Sequence, residues 1–170
     1  MSLLEIVLYP DPILREKCEP VTEITDEIRA LIDDMTQTMY DAPGIGLAAS
    51  QVGSRHRVII VDVGDDEETG RRSRLYQIIN PEIIETAGSV ESEEGCLSIP
   101  DIRESVKRSR SITVQGLDPD GKTIKIEAEG LLSICLQHEI DHLDGILFID
   151  RISRLKRELV KSRLKKLSQV

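Results

Sequence analysis

The sequence predicts an α+β fold: one compact domain in which mixed or antiparallel strands surround a central helix, followed by an amphipathic C-terminal helix. Two observations support this class. Strand-like stretches cluster between an early helical pattern and two late ones, an order typical of α+β domains. The 170 residues contain no internal repeat, low-complexity linker or clear domain boundary, which suits one sizeable core. Aromatic residues make up only 2%, so this core must be built from Ile, Leu and Val.

The first half of the chain contains one helical pattern and two strand-like stretches. Apolar residues in TDEIRALIDDMTQTMY recur at helical spacing, which predicts a helix with Thr25 or Asp26 as its N-cap and APG as its stop. The β-branched stretch RVIIVDV (57–63) predicts a buried strand, and LYQIINPEII predicts a second extended stretch interrupted by Pro81. Between these two stretches, DDEETGRRSR is expected to form a charged surface loop.

The second half contains a predicted hairpin and two helical patterns. SITVQGL and TIKIEAE flank DPDG, and the Pro, Asp and Gly of this segment favour a turn between two strands. From Leu131 to about Leu143 the apolar spacing again predicts a helix. RISRLKRELVKSRLKKL follows and predicts a second, amphipathic helix.

Charge and composition limit the classes of function. The net charge of −9 argues against nonspecific binding of the body of the protein to DNA or anionic membranes. Residues 151–170 carry eight Lys or Arg and one acid, a net of +7, which leaves −16 on residues 1–150. No stretch approaches the ~18 apolar residues of a membrane span, and the N-terminus lacks a secretory signal. Three cysteines cannot all pair within one chain, so a reducing cytoplasm is expected.

The segment QHEIDH (137–142) is the strongest chemical signal in the chain. His138 and His142 are four positions apart on a predicted helix, so they lie on one face about 6 Å apart along the axis and can bind one metal ion. Glu139 projects at a neighbouring angle and can reach a water near the metal without being a ligand. The alternative is a solvated acidic helix that contains two histidines by chance.

The residue that completes the metal shell is not settled by spacing. Catalytic sites usually have three protein ligands plus water, and a third histidine of the metzincin type would stand where Phe148 is found. Cys135 lies about 10 Å along the helix from His142, too far to share one ion easily, so it is expected to be a small buried residue lining a pocket or the core. Cys96, in EEGCLSIP, can supply a thiolate to Zn²⁺ or Fe²⁺, although an isolated cysteine is more often buried and inert. Of the two other candidates, Cys18 is expected to be structural, and His56 is expected to be a surface residue.

The segment PGIGLAASQ (43–51) fits the loose dinucleotide pattern G-x-G-x-x-A. That fingerprint must follow a strand and open a helix, whereas here it follows a predicted helix. We therefore expect a loop whose glycines let a ligand approach the backbone, with the amide of Gln51 available as a donor.

Three motifs together resemble those of bacterial peptide deformylases in order and spacing: GIGLAASQ, EGCLSIP and QHEIDH. The flanking segments YPDPILR, INPEI and EAEGLLSICLQHE are also similar to that family, so the resemblance covers nearly the whole chain. It implies an α+β metallohydrolase that removes the formyl group from the N-terminal methionine of new polypeptides. The substrates would be N-formyl-methionyl nascent peptides, and the product would be formate.

The resemblance also implies a role for each motif residue. The expected metal ligands are Cys96, His138 and His142. The residues expected to act on the substrate carbonyl and its protons are Glu139 as acid/base, the Gln51 side chain and the Leu97 backbone. The cofactor would be one divalent ion, usually Fe²⁺ in this family, with Zn²⁺, Ni²⁺ or Co²⁺ found in purified proteins.

Substrate selection is expected to depend on a glycine-walled recess and an apolar pocket. Three glycines could admit a formyl group and exclude acetyl: Gly44, Gly46 and Gly95. Four residues are candidates to contact the methionine side chain: Ile45, Leu131, Ile134 and Cys135. Arg103 keeps the arginine position of the family. Three departures could alter the preference for residues after methionine: Asp101, Glu104 and Ser92.

The basic C-terminal segment suggests a division into a catalytic metallohydrolase domain, 1–150, and a basic helix, 151–170, that is part of this domain or an appendage. Six apolar residues at helical spacing predict one apolar face: Ile152, Leu155, Leu159, Val160, Leu164 and Leu167. The basic remainder is either merely solvated or meets a polyanion. The resemblance implies that the polyanion is the ribosome, near its exit tunnel.

Two other classes of function share some of these features. An aminopeptidase or endopeptidase would have the His-Glu-x-x-His helix but would not need the Cys96 segment. A binding protein with a structural metal would close the shell with four protein ligands and would leave Glu139 without a role.

Overall fold

The computed structural model describes residues 2–167, and these residues form an α+β domain, as predicted. The three α-helices are α1 (Asp26–Asp41), α2 (Gly130–Leu143) and α3 (Arg154–Leu167). Short 3₁₀ helices cover Pro12–Arg15, Ala49–Val52 and Phe148–Arg151. The strands are β1 (Gly46–Ala48), β2 (Val58–Val61), β3 (Tyr76–Ala87), β4 (Val90–Cys96), β5 (Ile99–Arg108), β6 (Ser111–Leu117) and β7 (Thr123–Glu129).

Five of the strands form one antiparallel sheet with the order β1-β2-β3-β6-β7. β6 and β7 form the hairpin that the DPDG segment predicted. β3 runs through Pro81, and its pairing with β6 shifts register between Ile79 and Glu82. Because proline cannot donate a ladder hydrogen bond, this irregularity accommodates it inside the strand.

The sheet lies between α1 and α2, and this explains why β2 is apolar throughout. Ile59 and Val61 belong to the cluster that includes the apolar residues of α2. Val58 and Ile60 belong to the cluster that includes those of α1. Since successive side chains of a strand point to opposite faces, a sheet covered on both faces needs an unbroken apolar run.

The start of α1 is set by its cap. The Thr25 side chain accepts a hydrogen bond from the Ile28 backbone N–H at 3.3 Å, so Thr25, and not Asp26, is the N-cap. A hydroxyl at this position satisfies one of the backbone donors that the first helical turn leaves unpaired. Asp26 and Glu27 then lie in the first turn, where negative charge interacts favourably with the helix dipole.

The 43–51 segment, which was expected to be a loop, contains β1 and a 3₁₀ helix. Residues 90–108, for which the periodicity predicted no hairpin, form the β4–β5 hairpin, a separate two-stranded sheet. The hairpin sequence is mostly polar and lacks a long β-branched run, so periodicity does not reveal it. Its apolar residues Ile99, Ile102 and Val106 pack in a third cluster with residues of the Phe148–Arg151 segment.

The C-terminal helix α3 contacts the domain through only part of its apolar face. Val160 is buried and Leu164 is half-buried against the third cluster. Leu155 and Leu159 are 72% and 62% exposed, so α3 retains an apolar surface. The division of the chain at residue 150 stays a prediction. The last three residues of the basic segment, 168–170, lie outside the part of the chain that the structure describes. None of the helices described is both long enough and apolar enough to cross a bilayer.

Candidate active site

Three side chains with metal-binding atoms converge at one point between α2 and the β4–β5 hairpin. The ligand atoms of Cys96, His138 and His142 all lie within 4.8 Å of one another. His142 Nε2 is 3.2 Å from His138 Nε2 and 3.3 Å from Cys96 Sγ. The histidines come from successive turns of α2, whereas Cys96 is the last residue of β4.

These three residues fit a metal ion. Histidine nitrogens and a thiolate bound tetrahedrally to one Zn²⁺-like ion lie about 3.3–3.6 Å apart, and the observed separations of 3.2 and 3.3 Å are close to that range. His138 Nδ1 lies 2.9 Å from Glu94 Oε1, so Nδ1 donates its hydrogen to this carboxylate and Nε2 presents a lone pair. Among the described residues, no other group of ligand atoms of this kind is found.

A buried chain of ion pairs holds His138 in place. Glu94 accepts two hydrogen bonds from Arg108, at 2.7 and 2.8 Å, in addition to the bond from His138. Arg108 also donates to Asp141 at 2.6 Å, and Asp141 accepts two further bonds from Arg151, at 2.5 and 2.8 Å. Polar partners of this kind orient a metal-binding histidine and select its tautomer.

Glu94 stays ionised over a wide pH range. Burial by itself would raise the pKa of its carboxyl, but the hydrogen bonds and charges of Arg108 and His138 outweigh burial and lower the pKa to about 2. The carboxylate is therefore ionised near neutral pH and accepts a hydrogen bond from His138 Nδ1.

Glu139 lies beside the three metal-binding side chains but is not part of their group. It is buried beside the three ligands, and its Oε1 atom has no hydrogen-bond partner among the described residues. Burial raises the pKa of its carboxyl to about 7, so the group can gain or lose a proton near neutral pH. A Cβ atom on Gly46 would lie 2.5 Å from Glu139 Oε2, so a glycine here lets β1 pass close to the carboxylate.

Gln51 is oriented by its own backbone segment. Its Oε1 accepts a hydrogen bond from the Ala48 N–H at 2.9 Å. Its Nε2 therefore faces the hairpin, donating to Ser98 Oγ at 3.1 Å and lying 3.4 Å from Cys96 Sγ. The amide N–H group thus lies next to the position of the metal.

A cleft of about 670 Å³ opens beside these residues. Besides Gln51, Cys96, His138 and Glu139, it is lined by the remaining residues for which the sequence suggested a substrate role: Gly44, Ile45, Gly46, Gly95, Leu97, Arg103, Leu131, Ile134 and Cys135. Cys135 is buried and lies outside the ligand cluster. Of the three departures, Asp101 lines the cleft, whereas Ser92 and Glu104 do not.

The residues that sequence reasoning missed are those of the ion-pair chain: Glu94, Arg108, Asp141 and Arg151. Glu94 and Asp141 lie inside the motif segments, and their acidic character next to predicted ligands could have suggested a supporting role. No pattern in the neighbouring sequence points to a role for Arg108. It is 12 residues after Cys96 in a polar strand, and its importance is visible only from its burial and its partners.

Comparisons with known proteins point to one family. The sequence profile of the family described as "Polypeptide deformylase" matches residues 3–158. A peptide deformylase of Hydrogenovibrio crunogenus is 55% identical over 98% of this chain and 95% of its own length. Two crystal structures are also similar. The Legionella pneumophila peptide deformylase has a TM-score of 0.88 at 42% identity, and the alignment covers 98% of this chain and 96% of that one. The Ehrlichia chaffeensis peptide deformylase, solved in complex with actinonin, has a TM-score of 0.93 at 40% identity, with both chains fully covered.

A match of this length and identity, over a chain that also brings the Cys96, His138 and His142 ligand atoms together, shows the relationship directly. The chain belongs to the polypeptide deformylase family.

Proposed function

We propose that Cys96, His138 and His142 hold the metal with which this chain hydrolyses the N-formyl group of formyl-methionyl polypeptides. The activity follows from membership of the family, whose members are metal-dependent hydrolases. The observation that carries the residue assignment is the convergence of three ligand atoms beside the buried, unpartnered carboxylate of Glu139.

The reaction needs a nucleophile and a proton for the leaving amine. A divalent ion bound here supplies Lewis acidity, which makes hydroxide available from water near neutral pH. Glu139 accepts the proton that the attacking water loses and delivers it to the departing amine nitrogen. The C–N bond breaks, and the products are formate and a free amino terminus. Because the pKa of this carboxyl is about 7, the same group can both accept and release the proton.

Negative charge develops on the formyl oxygen during attack. The Gln51 Nε2 group and the Leu97 backbone N–H are the donors we assign to this oxygen. Gln51 is held in place by the Ala48 hydrogen bond, so little reorganisation is needed as the charge forms. One such donor is worth about 3–4 kcal/mol in a comparable oxyanion site.

We assign selection of formyl over larger acyl groups to the glycines that line the cleft, Gly44, Gly46 and Gly95. A Cβ atom on Gly44 would lie 2.9 Å from Leu97 Cδ1, so Gly44 packs closely against this side chain. The methionine side chain is assigned to the apolar part of the cleft formed by Ile45, Leu131, Ile134 and Cys135.

Removing a ligand tests the assignment. Cys96→Ala, His138→Ala and His142→Ala should each lose metal and activity together, because two remaining ligands bind an ion weakly. Metal content is measured by elemental analysis and activity by mass spectrometry of a formyl-Met peptide, which should lose one formyl group with no peptide bond cut. Cys135→Ala, in the same cleft but outside the ligand cluster, is the control and should keep its metal. A Cys96→Ala protein with full metal and full activity would refute the assignment.

The identity of the metal is a separate part of the proposal. A thiolate with two imidazoles is compatible with Fe²⁺ as well as Zn²⁺, and we propose Fe²⁺ as the native ion. The iron-loaded enzyme should lose activity in air faster than the nickel-loaded enzyme, because both Fe²⁺ and its thiolate ligand can be oxidised. The measurement is residual activity against time in air, with an anaerobic sample as control. Equal lifetimes in air would argue against iron as the labile centre.

We also propose that α3 binds the ribosome. Its exposed side carries Lys156 and Arg163 together with the exposed Leu155 and Leu159, and cationic residues that neutralise phosphates make binding salt-dependent. Formyl-methionyl chains arise where ribosomes translate, and for this reason we place the protein in the cytoplasm.

Charge reversal on α3 tests this interaction. Lys156→Glu/Arg163→Glu should reduce co-sedimentation with ribosomes, whereas Lys122→Glu/Lys125→Glu on the β6–β7 hairpin should not. Binding of the unmodified protein should weaken steeply as salt rises. Hydrolysis of a short formyl-Met peptide should be unchanged in both variants. Absence of co-sedimentation at low salt would rule out ribosome binding and would leave the catalytic assignment intact.

A further inference from the structure

We infer that Asp101 makes this enzyme favour formyl-methionyl chains that carry a cationic side chain at one of the two positions after methionine. The inference rests on the proposed function, because it concerns the substrate of the same cleft. It identifies a specificity-determining residue and the chemical class of side chain that this residue selects.

The position of Asp101 relative to the metal ligands defines which part of a substrate it can reach. Asp101 lines the cleft on β5, and Cys96 pairs in register with Ile99 of that strand. Asp101 is two residues farther along, about 7 Å at the rise of an extended strand. An extended substrate that starts at the metal covers the same distance in two residues. The carboxylate therefore lies at the level of the residues that follow methionine.

The other charged side chains on the rim of the cleft are already paired. Arg103 pairs with Glu93 at 2.8 Å on the cleft rim, and Glu94 is neutralised by Arg108 behind the ligands. The Asp101 carboxylate has no hydrogen bond or ion pair with any residue in 2–167. The rim thus carries one uncompensated negative charge, and a substrate cation can pair with it.

The chemistry of the substrate makes this charge selective. Formylation removes the positive charge that a free amino terminus carries below its pKa of about 8. Methionine is uncharged, so the first charges on the substrate come from the side chains after it. A lysine or arginine there is attracted by Asp101, whereas a glutamate or aspartate is repelled.

The backbone conformation at Asp101 determines which substitution removes the charge without adding strain. Its φ is +67°, in the left-handed region that few non-glycine residues adopt. Asn tolerates this conformation about as well as Asp, so Asp101→Asn removes the charge and leaves the backbone of β5 unstrained. Glu91→Gln is the matched control, because Glu91 is exposed on the same hairpin but does not line the cleft.

The test compares kcat/KM for peptides of the form formyl-Met-Xaa-Ala and formyl-Met-Ala-Xaa, with Lys, Gln or Glu at Xaa. For the unmodified enzyme, Lys should exceed Gln, and Gln should exceed Glu, by about two- to five-fold at one of the two positions, the range of one partly exposed charge pair. The order should flatten in Asp101→Asn and at high salt, and persist in Glu91→Gln.

The outcomes separate the two proposals. Deformylation of all peptides at equal kcat/KM would overturn the role of Asp101 and leave the proposed function intact. A Lys preference that persists in Asp101→Asn would also overturn it. Failure to deformylate any of the peptides would overturn the proposed function and this inference with it.

Discussion

Glu139→Gln should keep its metal and lose about 10²- to 10⁴-fold in kcat, the contribution typical of a positioned acid/base. The amide is nearly the same size as the carboxyl but cannot accept the proton of water near neutral pH. Glu139 is buried with an unpartnered Oε1, so the substitution breaks no hydrogen bond at that atom. The measurement pairs kcat on a formyl-Met peptide with metal content.

The comparison with the ligand variants makes this result specific. His138→Ala should lose metal and turnover together, whereas Glu139→Gln should lose turnover alone. Glu127→Gln, an exposed glutamate on β7, controls for removal of a carboxylate and should behave as the unmodified enzyme. A Glu139→Gln enzyme with ordinary kcat would exclude Glu139 as the acid/base.

Arg108→Met should lower the free energy of unfolding by about 3–5 kcal/mol, because it leaves buried charges without their partner. The side chains of Arg108 and Glu94 are only 2% and 5% exposed, and Asp141 also depends on this guanidinium. Glu94 would then hold His138 less firmly, so metal affinity should fall by about 10- to 100-fold. Urea unfolding and a competitive chelator titration measure the two effects.

Arg103 offers a matched control on the same strand. Its pair with Glu93 has the same chemistry, but the two side chains are 62% and 64% exposed, and such pairs contribute about 0–1 kcal/mol. Arg103→Met should therefore unfold almost as the unmodified protein does. Equal destabilisation by the two substitutions would show that burial of the Arg108 network is not what stabilises the hairpin against α2.

The elements that the sequence predicted correctly are those coded by local periodicity. The α1 and α2 helices and the β6–β7 hairpin each show a pattern that one segment carries by itself. The pairing of His138 with His142 belongs to the same category, because residues four apart on a helix always share a face. For the same reason, the spacing placed Glu139 next to the histidines before any tertiary contact was known.

The β4–β5 hairpin could not be predicted in this way. Its residues are mostly polar, and only Ile99, Ile102 and Val106 pack in the third cluster. A strand with one sparsely apolar face has a weak period-two signal. The hairpin forms because other parts of the chain, including Leu14 and Phe148, cover that face.

The sequence by itself determined that two histidines share one helix face with a glutamate at a neighbouring angle, and it left the third ligand open until the family resemblance named Cys96. Only the tertiary structure decided that Cys96 comes within 3.3 Å of His142, across 46 residues of chain. It likewise decided that Arg108 lies between Glu94 and Asp141. Local sequence patterns constrain only residues that are a few positions apart. Contacts between distant segments depend on the path of the whole chain. They also depend on burial, because a buried charge without a partner is costly in free energy.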